Sequence, residues 1–194
     1  MSEVRSIFEA SLGKAAEALE AFRSDAACLD ACEAFGDLLS EVYRGGGKAM
    51  AAGNGGSMAD ALHFAEELTG RFRGERRPLP AMALGESTHL TCVSNDYGFD
   101  HVFSRMVEAF GGAGDVLILL STSGNSVNLL LAAEAAKAKG VKVVGLLGRG
   151  GGRLAPLCDL VVMAPGETSD RIQEVHMLVL HVVIEAAERE LGLA

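Results

Sequence analysis

Apolar and polar positions along the first 45 residues follow a helical period. Ile7, Leu12, Ala16, Leu19 and Phe22 approximate one stripe, and residues 3–45 contain no proline. Ser24 or Asp25 suits the cap of a second helix running to about Tyr43, and Gly45–Gly47 stops it. Beyond this the pattern alternates. Short apolar runs at Lys48–Ala52, Ala81–Leu84, Asp115–Leu120, Val141–Leu147 and Leu160–Ala164 read as strands. Helical patterns fall at Ser57–Phe72, Ser87–Ser94, Phe99–Phe110, Ser126–Lys139 and Ser169–Leu191. Asn95–Gly98 and Gly148–Arg153 read as turns, and Arg73–Pro80 as a charged loop. Continuous apolar strands between helices indicate a parallel sheet covered on both faces. The expected fold is α/β, a doubly wound five-stranded parallel sheet flanked by helices, preceded by an N-terminal helical pair. One domain over residues 1–194 is expected, with residues 1–46 as a helical extension that packs on the sheet or on another subunit.

Composition narrows the function. The chain has 26 acidic and 17 basic residues, a net charge of −9, and 49% hydrophobic residues. That balance suits a globular core and argues against a nucleic-acid partner, which needs a basic face. It leaves room for a phosphorylated substrate, because backbone N–H groups can hold one phosphate in an acidic protein. The N-terminus lacks the basic start and apolar block of a secretion signal. The apolar stretch Val175–Ala187 is too short to span a membrane and carries His176, His181 and Glu185. Cys28, Cys32, Cys92 and Cys158 show no paired spacing and read as idle thiols, so the cytoplasm is the expected compartment.

Three segments carry candidate chemistry. In the first, AGNGGSMADALHFAEE, a strand runs into a glycine turn and a helix. Glycines there permit close backbone approach, and free N–H groups at the helix start attract anions. His63 and Glu67, at i and i+4, share a helix face and can meet one metal or one substrate. In the second, Ser121–Ser126 (STSGNS), hydroxyls cluster between a strand and a helix. They can ring a phosphate without lysine, whereas a plain cap at Ser126 would need one hydroxyl only. Neither the Walker A nor the GxGxxG spacing is met. The third segment is the last helix, where Gln173, His176 and His181 interrupt an apolar pattern.

GNGGS, HFAEELTGRF, SNDYGF, STSGNS and SDRIQEVH followed by His181 together resemble the bacterial phosphoheptose isomerases of the sugar-isomerase domain superfamily. The resemblance spans about Gly53 to His181. It implies interconversion of sedoheptulose 7-phosphate and D-glycero-D-manno-heptose 7-phosphate, the first step toward nucleotide-activated heptose. It implies one zinc per subunit and a cytoplasmic homotetramer. By motif position, the metal ligands fall on His63, Glu67, Gln173 and His181, and the acid–base pair on Glu67 and His181. Substrate contacts fall on Asn54, Gly55, Gly56, Ser57, Glu67, Asn95, Asp96, Ser121, Thr122, Ser123, Ser126 and Gln173. The serine loop is the expected phosphate cradle, with Asn54–Gly56 left to hold the sugar. Met58 departs from the family, which has a small or polar residue there. A non-catalytic relative that binds a phosphosugar or a protein partner is the alternative, but it would not be expected to keep all four ligands. A sugar-sensing transcription regulator would need more bases than residues 1–45 provide.

Spacing sets one constraint on this ligand set. Gln173 and His181 are separated by about 12 Å along a regular helix, too far for both to close on one metal. Either Gln173 lies outside the regular helix or at a kink, or the ligands come from different subunits and the site lies at an interface. His176 is expected to pack or to bond at an interface. Arg71, Arg73, Arg76 and Arg77 read as a solvated basic face.

Overall fold

The computed structural model describes residues 2–194. Helices α1 (Glu3–Ser24) and α2 (Ala26–Arg44) come first, and Asp25 divides them, its carboxylate accepting from Ala27 N–H at 2.9 Å. Five strands follow: β1 (Ala49–Gly53), β2 (Ala81–Ala83), β3 (Val116–Ser121), β4 (Lys142–Leu147) and β5 (Leu160–Met163). Between and after them lie α3 (Gly56–Thr69), α4 (Ser87–Tyr97), α5 (Ser104–Phe110), α6 (Val127–Ala138) and α7 (Ser169–Glu190).

The strands form one sheet in the order β2-β1-β3-β4-β5, and every pairing is parallel. β1 and β3 are buried at every position, as expected for strands covered on both faces. One face carries Phe35, Leu39, Phe64, Ile118, Val144 and Leu180, contributed with α2, α3 and α7. The other carries Met50, Phe103, Leu117, Leu119, Leu129 and Val143, contributed with α5 and α6. Each fully buried Leu, Ile, Val or Phe stabilises the fold by about 1.5–3 kcal/mol. Lys48 and Asp115 pin the entry ends of β1 and β3. Asp115 accepts from Lys48 N–H at 3.0 Å and from Lys48 Nζ at 2.6 Å.

The expected strands all form. Three helix boundaries differ from expectation. α3 stops at Thr69 rather than Phe72, where Gly70 N–H closes on the Glu66 carbonyl at 2.7 Å. Asn95–Tyr97 belong to α4, and the break comes at Gly98, whose φ of 90° ends the helix. The span Phe99–Phe110 is therefore a 3₁₀ turn at Phe99–His101 followed by α5. Among the described residues, no helix is long and apolar enough to cross a membrane.

Candidate active site

The chain adds β2 on one side of β1 and then crosses to the other side to place β3. Adjacent strands whose connections depart in opposite directions open a crevice beyond their carboxyl ends. Here those ends are Gly53 and Leu120, which are register partners. The glycine loop leaves one and the serine loop the other. Between them lies a cavity of about 190 Å³ lined by Asn54, Ser57, Leu120, Ser121, Thr122, Ser123, Ser126, Ser169 and Gln173.

Three helices begin at this cavity. Ser57 belongs to the first turn of α3, Ser126 precedes α6 and Ser169 opens α7. None of the three has a side-chain cap at its N-cap residue, Gly55, Ser126 or Thr168. Ser126 thus occupies the capping position while its hydroxyl stays free of capping. Uncapped N–H groups at three helix N-termini make the cavity favourable to an anion. The hydroxyls are held in place: Ser121 Oγ accepts from Gly124 N–H at 2.9 Å, and Thr122 Oγ1 lies 3.1 Å from Ser169 Oγ. Gln173 Nε2 donates to Ser57 Oγ at 3.2 Å.

Glycines let the surrounding backbone close up. A Cβ on Gly56 would lie 2.7 Å from Gln173 Oε1, so the missing side chain admits the Gln173 amide. The serine loop also locks against Arg149–Arg153. Leu154 N–H donates to the Gly124 carbonyl at 2.9 Å, and Arg153 N–H to Asn125 Oδ1 at 3.1 Å. Gly124 has a φ of +65°, and a Cβ there would stand 1.9 Å from the Gly151 carbonyl oxygen. Arg149, the one non-glycine residue of positive φ among those described, sits on this second loop and donates to Ser169 Oγ at 3.4 Å.

Sequence reading passes over Asn128. It is 3% exposed, and its amide exchanges two hydrogen bonds with Asn54, at 3.0 and 2.8 Å, tying the glycine loop to the first turn of α6. An asparagine at a helix start carries no signal of a partner 74 residues away.

A second group lies further along α3 and α7. His63 Nε2 is 3.3 Å from Glu67 Oε1, His181 Nε2 is 3.7 Å from the same oxygen, and the two Nε2 atoms are 3.3 Å apart. Their ligand atoms all fall within 4.8 Å of one another. Phe72 stacks on the His181 ring with centroids 5.9 Å apart. Two imidazole nitrogens and a carboxylate facing one point suit zinc, which accepts such sets and keeps positions open for substrate. Glu67 is 9% exposed, and its Oε2 is buried with no hydrogen-bond partner, so the arrangement has unspent ligand capacity. The residues fit a bound metal.

Gln173 does not join this group within the chain. It lies in the continuous helix α7, one turn from its start, with its amide on Ser57. The possibility that it precedes or kinks the helix is thereby removed. Asn95 and Asp96 are exposed on the last turn of α4, where Asn95 Nδ2 donates to Asp96 Oδ1 at 2.7 Å, and they do not line the cavity. Met58 packs its thioether against Gly85 and is likewise absent from the lining.

Two titratable groups nearby are displaced by burial. His176 is 0% exposed, and burial pushes it down to about 4. The Leu147 carbonyl partly opposes this, yet neither ring nitrogen closes a well-formed hydrogen bond. Burial raises Asp60 to about 6, partly opposed by His63. Of the four arginines read as a solvated face, Arg71 and Arg73 are exposed, with side chains 64% and 63% accessible. Arg76 is not: its side chain is 1% exposed and paired with Glu188 at 2.7 Å.

The sequence matches the SIS domain family over residues 12–148. A phosphoheptose isomerase of Vibrio cholerae is 49% identical over 187 residues, covering 96% of this chain and 98% of that protein. One from Fusobacterium nucleatum is 54% identical over 151 residues, 78% of each. The structure of a phosphoheptose isomerase from Neisseria gonorrhoeae superposes with a TM-score of 0.90 at 37% identity, covering 96% of this chain and 99% of that one. The chain therefore belongs to the SIS domain family and, within it, to the phosphoheptose isomerases.

Proposed function

We propose that the chain interconverts sedoheptulose 7-phosphate and D-glycero-D-manno-heptose 7-phosphate, an aldose–ketose isomerisation that opens the route to nucleotide-activated heptose. The observation that carries this reading is the pairing of an anion cavity, where three uncapped helices begin, with a His–Glu–His group further along two of those same helices. Ser121, Thr122, Ser123 and Ser126 hold the phosphate as a remote handle, whose binding energy positions the reacting end. Asn54, Gly55, Gly56, Ser57 and Gln173 contact the substrate beside it, and Asn95 and Asp96 meet the sugar.

Isomerisation moves a proton between adjacent carbons through an enediol and needs a base and an acid. Glu67 and His181 share these transfers. The two oxygens of Glu67 have different surroundings, which suits separate tasks. Oε1 faces both imidazoles, whereas Oε2 is buried without a hydrogen-bond partner. His63, Glu67 and His181 hold one zinc per subunit. Zinc supplies Lewis acidity toward the substrate oxygens.

We place the site at a subunit interface of a cytoplasmic homotetramer. Exposed apolar residues support this: Leu62 and Val182 are 54% and 51% exposed beside His63 and His181, and Phe8 and Leu12 on α1 are 64% and 66% exposed. Gln173 then serves as a ligand across that interface rather than within its own chain.

The test is turnover of sedoheptulose 7-phosphate by metal-stripped and zinc-restored protein, with Glu67→Gln alongside. Restored activity that Glu67→Gln abolishes supports the assignment. Absence of product in both metal states favours a non-catalytic phosphosugar-binding role, and near-normal turnover by Glu67→Gln removes it as base.

A further inference from the structure

We infer that Arg76 is a positioning residue for the His–Glu–His group, acting with Glu188 as a buried clasp between α3 and α7; this rests on the isomerase reading above. Arg76 Nη2 donates to the carbonyl of Glu67 itself at 2.6 Å, and Nη1 donates to the carbonyls of Leu68 at 2.8 Å and Gly70 at 3.2 Å. These carbonyls lie at and just past the end of α3, beyond the reach of further helical N–H groups, and Leu68 also accepts from Leu79 N–H at 2.9 Å. Nε donates to Glu188 Oε1 at 2.7 Å. The two side chains are 1% and 4% exposed.

Position gives the pair its consequence. Glu188 follows His181 by two turns of α7, so the two share a face of that helix. One guanidinium therefore grips the backbone of one member of the group and a carboxylate on the helix that carries another. A planar fork with five donors can make these bonds in different directions at once, which a lysine ammonium cannot reproduce. The side chains of Glu67 and His181 approach only if α3 and α7 keep their axial register, and the clasp fixes that register. Capping these carbonyls also stabilises the end of α3, so a positioning role is distinguished by zinc affinity and kcat, read beside stability.

The experiment compares Arg76→Lys, the double variant Arg76→Met/Glu188→Met and a core control, Val143→Ala, which lies on β4 against the opposite face of the sheet. Thermal stability, zinc affinity by chelator competition, the absorption spectrum of the cobalt-substituted protein, kcat and KM are read for each. The double variant should lose about 10–100-fold in zinc affinity and kcat, the range for residues that orient metal ligands, whatever stability it loses with the carbonyl bonds. KM should change less than kcat, because the serine cavity lies at the opposite ends of α3 and α7 from the clasp. Arg76→Lys should show the same losses in part, with an altered cobalt spectrum. Val143→Ala should lose stability only. Zinc affinity, spectrum and kcat all close to wild type in both Arg76 variants would overturn the inference while leaving the isomerase reading intact. Wild-type protein that neither binds zinc nor turns over would instead defeat that reading and the inference with it.

Discussion

His63 and His181, from helices 118 residues apart in sequence, face each other through their Nε2 atoms at 3.3 Å. Two imidazoles with the same atom toward one point must either share a proton or have a cation between them. Replacing His63 with alanine removes one of three converging ligands. Zinc affinity should fall by at least about 100-fold, beyond the usual effect of a supporting residue. Chelator competition measures it, and affinity within tenfold of wild type would contradict a site built on these three residues. Binding of inorganic phosphate in the serine cavity should be unchanged.

Gly124→Ala tests the lock between the serine loop and Arg149–Arg153. Its Cβ would collide with the Gly151 carbonyl at a backbone φ of +65°. The strain costs about 1–3 kcal/mol and should displace the serine-loop hydroxyls, raising KM for the sugar phosphate more than it lowers kcat if they bind phosphate as proposed. Steady-state kinetics with urea unfolding separates the two effects. An unchanged KM would show that the lock does not shape the cradle.

Much of this was legible in sequence because it depends on local pattern. The five strands, the paired N-terminal helices and the His63–Glu67 spacing follow from periodicity, and the serine loop from its crowding of hydroxyls. What sequence hid depends on distant partners. Arg76 looks like its exposed neighbours until Glu188, 112 residues on, takes its charge. Asn95–Tyr97 read as a turn because Asn and Asp favour turns, but Glu86 caps α4 by accepting from Thr88 and His89 N–H, and the helix runs on to Gly98. Motif position does not tell that the Gln173 side chain rests on Ser57 within its own chain.

Asn128→Ala should destabilise the protein although it removes nothing from the cavity lining. The Asn54 amide would lose both partners, at a cost of about 1–3 kcal/mol. Urea unfolding of the two single variants and the double variant forms a cycle. The double should cost less than the sum of the singles, and strict additivity would mean that the two amides do not stabilise one another.

His176 sets a pH dependence of stability. Its folded value, near 4, lies below the ordinary histidine value of 6.5, so the unfolded chain binds the extra proton between these limits. Stability contributed by the neutral ring is therefore full above about pH 6.5 and declines as pH falls toward 4, by up to about 1.4 kcal/mol per unit. His176→Leu should flatten that decline. Unfolding at pH 5 and pH 7.5 checks it, and an equal loss in wild type and variant would exclude His176 as the source.

The interlocked loops also mark where substrate range can and cannot be redesigned. Side chains at Gly124, Gly151 or Gly152 would run into neighbouring atoms, several of them backbone, so single substitutions there cannot remodel the proposed phosphate end. That end behaves as a fixed socket. If Asn95 and Asp96 meet the sugar as proposed, engineering toward sugars of other length or configuration should begin there, where a new side chain displaces solvent rather than backbone.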